Sequence, residues 1–312
     1  MDAELNLILT SANEKTQYDT YAKRLLSQKC VLACILTTVV DEFRGMDPKE
    51  AERFIEGEIH VGDVPFAPGL TNSEQTKQGN QIVGLNTVQQ EIGEGVAVFD
   101  ILFYARLRDG LSRIIVNLEA QTDEPSAYHI LNRAIFYVSR QISSQKERDF
   151  TGDHFNDLKQ VYSVWICMNM KECSWNYIHL TDESFLGKRR WRGNLDLLNI
   201  VLLGVPNEVP QPRAGYELHR LLSALFSVGL SWEERISILE NEYHMNVRTE
   251  FGKELKEMCN LSQGILERGI GQGEQRMAEL IQRLNAVGRA GDVMKAASSE
   301  EYRKKLYTEF GI

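Results

Sequence analysis

Between Val96 and Gln121 two β-rich runs flank Asp109-Gly110, a dipeptide that favours a tight type I′ turn, so this stretch is predicted to fold as an antiparallel hairpin. With Asp109 and Gly110 as the loop, Arg108 faces Leu111, and each step outward pairs the next residue on either strand. Asp100 then faces Glu119. Carboxylates directly opposite on neighbouring strands share a face with Cβ atoms about 4.5–5.5 Å apart, and they repel. Val98, Phe99, Ile101, Leu102 and Phe103 surround Asp100, while Ile115, Val116 and Leu118 precede Glu119, so both acids sit in strands patterned for burial. Poorly solvated carboxylates need protons, cationic partners or a metal. Two oxygen ligands at this spacing suit Mg²⁺. The competing reading is an acidic pair at the strand ends, solvated or matched to arginines. Gln121 lies two residues beyond Glu119 on the same face, with an amide able to orient a water or a phosphate oxygen.

Elsewhere the pattern alternates between helix and strand. Apolar residues at helical spacing predict a largely buried helix over Ala22–Phe43, with Asp41 and Glu42 near its end. Asp47, Pro48 and Glu50 predict a short capped helix with a capping box. His60–Gly95 reads as loop around one short strand near Ile82–Asn86. A helix is expected from near Pro125 through Ser144, and Gln160–Asn169 is apolar on both faces, as in a strand central to a sheet. Further strands are expected at Trp175–Leu180 and Leu195–Leu203. After Pro206–Pro212 the chain turns to amphipathic helices, over Tyr216–Val228, Ser231–Tyr243, Val247–Met258 and most of the remainder. The fold class is therefore α/β with a mixed sheet, with residues 1–210 as one domain and residues 211–312 as a helical C-terminal region.

Composition narrows the function. A chain of 312 residues with 43% hydrophobic and 25% charged content has enough apolar matter for a full core. Five cysteines with no C-x-x-C pair argue against a zinc cluster or a disulfide scaffold and favour a reducing, cytoplasmic setting. Met1–Tyr18 lacks the features of a signal peptide, and no apolar run is long enough for a membrane span. The net charge of −9 argues against broad coating of nucleic acid, but not against a local site where a cation offsets carboxylate charge. Lys188-Arg189-Arg190-Trp191-Arg192 mixes base and aromatic, as a DNA-contacting loop does, although such runs are more often solvated surface. Gly269-x-Gly271-x-Gly273 follows no strand, so a flexible joint between helices is expected there rather than a nucleotide loop. Leu280, Leu284 and Val287 form an apolar face beside Glu279, Arg283 and Arg289, which suggests a homo-oligomer through the C-terminal helices.

The order of features resembles the PD-(D/E)XK nuclease superfamily: a helix bearing a glutamate, a β-meander with Asp on its second strand and Glu-x-Lys on its third, then a helix and another strand. The matching residues are Glu42, Asp100 and Glu119-Ala120-Gln121, with Gln where Lys is usual. The chain is most similar to the branch of nuclease-family transposases and recombination-promoting nucleases. Further similar stretches are Val116–Gln121, Arg133–Tyr137, Ile142–Gln145, Val161–Asn169 and Met258–Ser262, so the resemblance covers roughly residues 20 to 275. It implies a restriction-endonuclease-like core and hydrolysis of DNA phosphodiester bonds with Mg²⁺ or Mn²⁺. Asp100, Glu119 and the Ala120 backbone carbonyl would hold the metal, Gln121 would orient the attacking water, and Glu42 would bind the metal or its water. Arg133, Tyr137 and Gln141 recur every four residues along the following helix: if that face looks toward the carboxylates, Arg133 reaches the scissile phosphate, and the competing reading is a solvent-facing stripe. The Lys-to-Gln departure keeps a second reading open: a nuclease-like module that has lost its chemistry and binds DNA or protein.

Overall fold

The computed structural model describes residues 17–18, 20–61, 74–75, 81–82, 88–91, 94–98, 101–107, 113–121, 127–187 and 189–312. The chain divides into two compact units, one over Asp19–Met258 and the other over Cys259–Ile312 with Met1–Tyr18.

The larger unit is built on a six-stranded mixed sheet. Its strands are β1 (Ile55–Val61), β6 (Ile101–Arg106), β7 (Arg113–Gln121), β8 (Val161–Met170), β9 (Ser174–His179) and β10 (Leu198–Pro206), in the order β1-β6-β7-β8-β10-β9. Two short hairpins precede β6: β2 (Glu74–Gln75) with β3 (Gln81–Ile82), and β4 (Val88–Glu91) with β5 (Glu94–Val98). β1, β6 and β7 form an antiparallel meander, β7, β8 and β10 run parallel, and β9 closes the edge antiparallel to β10. The β6–β7 register pairs Ile101 with Leu118 and Arg106 with Arg113, the alignment a two-residue turn at Asp109-Gly110 sets. That turn and Asp100 lie outside the described residues.

β8 occupies the middle of the sheet because it can be dry on both faces: Val161 through Met168 are all buried. The connection from β7 to β8 passes through helix α3 (Ile130–Ser143), whose Ala134 and Val138 pack with Leu102, Trp165 and Ile200 over one face of the sheet. Pro125 lies outside the described residues; α3 itself starts at Ile130 because His129 is still extended. The return from α3 to β8 is pinned by buried polar groups. The Gln145 amide brackets Lys159, donating to its carbonyl (3.0 Å) and accepting from its N–H (2.7 Å). Asp149 accepts from the Tyr104 hydroxyl (2.8 Å), Lys159 Nζ (2.7 Å) and Arg148 Nε (2.7 Å), tying β6 to this connection.

Helix α1 (Lys29–Val39) is buried along most of its length, as the apolar spacing requires. It is shorter than the expected helix: residues 20–26 are also helical, but Ser27 and Gln28 turn the chain, and Gln28 caps α1 in extended conformation. Asp41–Phe43 follow as a 3₁₀ turn. In α2 (Pro48–Ala51) Pro48 takes the first turn and the Asp47 carboxylate accepts from the Lys49 N–H (2.8 Å). Helix α4 (Glu217–Phe226) packs on β10, and α5 (Trp232–Asn241) opens with a Ser231–Glu234 capping box. The buried Arg235 guanidinium donates to the carbonyls of Leu225 (2.7 Å) and Ser227 (2.5 Å), satisfying acceptors that the end of α4 leaves over. No helix among the described residues is long and apolar enough to cross a membrane.

Helix α6 (Glu250–Ala286) supplies residues to both units. The joint expected at Gly269, Gly271 and Gly273 is absent: one helix of 37 residues runs through all three. Glycine disfavours a helix but does not forbid it, and the hydrogen bonds of the turns on either side carry the helix through. In the smaller unit Leu280 and Leu284 are buried with Ala296 of α7 (Gly291–Ser298) and Leu306 of α8 (Glu300–Phe310). Of the apolar face that suggested a partner copy, Leu280 and Leu284 are covered by the chain's own last helices, while Val287 is 57% exposed.

Two stability predictions follow from these contacts. Burial alone raises the Asp149 carboxyl, but Arg148 and Lys159 hold it below its ordinary value of 3.8. The stabilisation this adds is present above 3.8 and fades as pH falls through the lower folded-state value. Asp149→Asn should cost about 3 kcal/mol in urea denaturation at pH 7, and the gap to the wild type should narrow below pH 3.8. In α6, a Cβ added at Gly269, Gly271 or Gly273 meets nothing within 4 Å. Replacing all three by Ala should stabilise the helix by about 0.5–1 kcal/mol per site and raise the melting temperature followed by circular dichroism.

Candidate functional site

Glu119 sits third from the end of β7, where the parallel register sets it beside Trp165 of β8. Trp165 belongs to the cluster under α3, so Glu119 shares the α3 face of the sheet. Glu119 is only 2% exposed. α3 brings a cation to it: Arg133 Nη2 stands 4.0 Å from Glu119 Oε2.

Arg133 is itself held by aromatic residues. Its Nη1 donates to the Tyr128 hydroxyl (2.9 Å) and its Nη2 to the Tyr137 hydroxyl (3.0 Å). The guanidinium carbon lies 4.8 Å from the Tyr137 ring centroid, 5.3 Å from Trp165 and 5.8 Å from Tyr128. Three aromatic rings and two phenol oxygens fix its plane, which an ammonium on a flexible stem would not permit. Tyr137 and Arg133 are four residues apart, and Gln141, one turn further, is fully buried. The polar stripe of α3 thus faces the sheet. Arg133 keeps part of its surface in water, with its side chain 30% exposed, so a ligand can reach it.

The other expected site residues distribute unevenly. Ala120 and Gln121 follow in register with Ile166 and Cys167. Asp100 lies outside the described residues. Glu42 is placed elsewhere: its carboxylate accepts from the Tyr162 hydroxyl (3.0 Å). Tyr162 lies three residues before Trp165 on a regular strand, so the two side chains leave opposite faces of the sheet. Burial, then the Glu42 charge, pushes the Tyr162 phenol far up, which keeps it a protonated donor. The structure joins Glu119, Arg133 and Tyr137 and sets Glu42 apart from them.

Trp165 and Tyr128 were not among the site residues read from the sequence. Tyr128 is five residues before Arg133 and outside α3, so helical spacing does not bring it in. Trp165 joins only through the parallel β7–β8 register, which no local pattern specifies.

Among the described residues no group of three or more His, Cys, Asp or Glu side chains is arranged to hold a metal ion. The donor chemistry at β7 nevertheless fits a hard cation. Glu119 offers carboxylate oxygens, the hard donors that Mg²⁺ and Mn²⁺ take.

Arg133→Lys keeps the charge and loses the planar fork with its stacking. The expected cost is about 1–2 kcal/mol in chemical denaturation, and a variant as stable as the wild type would contradict the role given to the three rings.

Comparisons of the chain with protein-family models, with curated proteins and with solved structures return no match.

Proposed function

We propose that this chain is a Mg²⁺-dependent DNA endonuclease of the PD-(D/E)XK type, acting in recombination or mobile-element biology. One observation carries the reading: a buried glutamate on the third strand of a meander, with an arginine of the following helix 4.0 Å away. The order of elements supports it, since the meander β1-β6-β7 is followed by α3 and then by β8 running parallel to β7.

In this reading Asp100, Glu119 and the Ala120 carbonyl hold the cation, which when bound lowers the pKa of a water and offsets charge on the phosphate. Manganese would serve the same donors. Arg133 takes a non-bridging phosphate oxygen, because its guanidinium is charged, planar and partly open to solvent. Tyr128, Tyr137 and Trp165 orient that guanidinium before substrate arrives, so little ordering is left to the binding step. Gln121 orients the attacking water through its amide but cannot act as a general base. Glu42, bonded to Tyr162 on the other face, takes no part. That placement favours a second reading, a nuclease-like module that binds DNA or protein without cutting.

Supercoiled plasmid incubated with the purified chain and Mg²⁺ or Mn²⁺ distinguishes the two. The nuclease reading expects nicking or linearisation by the wild type, with the rate reduced by roughly a hundredfold or more in Glu119→Gln and in Asp100→Ala. Equal cleavage by all three proteins would remove these carboxylates from the chemistry, and an intact plasmid throughout would favour the binding module.

A further inference from the structure

Residues 180–197 join β9 to β10 with no helix or strand among those described. Connections longer than about 12–15 residues without structure of their own are uncommon in compact domains and tend to be functional. This one exposes large apolar side chains together: Phe185 is 90% exposed, Leu186 95% and Trp191 83%. Single exposed apolar residues are ordinary, but three so fully exposed within seven positions are not. Arg189, Arg190 and Arg192 stand beside them in the chain and are exposed as well. The Arg189 guanidinium carbon lies 4.6 Å from the Trp191 ring centroid.

We propose that this loop is a docking surface for single-stranded nucleic acid, separate from the Glu119–Arg133 site. The loop also carries Asp182, Glu183 and Asp196, but Arg189, Arg190 and Arg192 stand within four positions with no acid among them, a short cationic run that a phosphate backbone matches. Guanidinium forks pair with phosphates, while the exposed Trp191 ring offers a stacking face to a base. In a duplex the base faces are already stacked on one another, so the aromatic part of the loop serves only an unpaired strand. The loop enters the sheet where Leu198 pairs with Val161, four residues along β8 from Trp165, or about 13 Å along the strand direction. It is thus a second contact, away from the chemistry. Choosing nucleic acid over an anionic lipid surface rests on the nuclease reading; the charge and stacking arguments do not.

The test uses the full chain in EDTA, with fluorescence anisotropy of a labelled oligothymidylate and of a duplex of equal length at several salt concentrations. Arg189→Ala/Arg190→Ala/Arg192→Ala should make the plot of log affinity against log salt shallower by about 2 for the single strand, near 0.7 per lost phosphate contact. Trp191→Ala should weaken the single strand roughly tenfold and leave the duplex nearly unchanged. Circular dichroism identical to the wild type is expected of both variants, since the replaced side chains are exposed. No binding by the wild type, or the same affinity and salt slope in both variants, overturns the proposal. So does a loop-dependent loss seen only with phosphatidylserine vesicles, which would assign the loop to a membrane surface. Plasmid cleavage read in parallel separates the two claims: an uncut plasmid with loop-dependent binding sinks the nuclease reading alone, and a cut plasmid with loop-independent binding sinks this one alone.

Discussion

A carboxylate almost wholly removed from water, as Glu119 is, loses several kcal/mol of hydration that the fold must return through charge or hydrogen bonding. Arg133 contributes to that return, and it stands near Glu119 because α3 lies across that face of the sheet. The placement of α3 depends in turn on the connection to β8, clasped by Gln145 around Lys159 and by Asp149 to Tyr104. The site is therefore a product of the parallel β7–α3–β8 unit as a whole. Its electrostatics rest on buried polar contacts that lie well away from it.

The sheet keeps two polar systems apart. On the α3 face are Glu119, Arg133 and the aromatic rings around the guanidinium. On the other face Tyr162 donates to Glu42, and Tyr177, on the edge strand β9, donates to Asn199 at 2.6 Å. Strand alternation enforces the separation, because residues an odd number apart on β8 cannot share a face. A glutamate near the end of α1 can thus sit close to the sheet in sequence order and still serve structure rather than the site.

Local signals carried much of this into the sequence. Asp109-Gly110 set a register that the pairs from Ile101–Leu118 to Arg106–Arg113 obey. The unbroken apolar run at Val161 marked the central strand, and four-residue spacing put Arg133, Tyr137 and Gln141 on one helix face. What stayed hidden depended on non-local or weak effects. The break at Ser27-Gln28 carries no proline or glycine to announce it. The glycines of α6 suggested a joint, but each costs a helix only about 1 kcal/mol, which long helices tolerate. The face on which Glu42 lands, and the part Trp165 plays beside Arg133, follow from strand pairing across a helical crossover, which sequence spacing does not encode.

The central claim is that Glu119 and Asp100 together bind one divalent cation, and calorimetric titration of the full chain with Mn²⁺ tests it most directly. The account predicts saturable binding at a single site in the wild type and an affinity lower by roughly tenfold or more in Glu119→Gln, with the fold intact by circular dichroism. Superimposable titrations of the two proteins would contradict it.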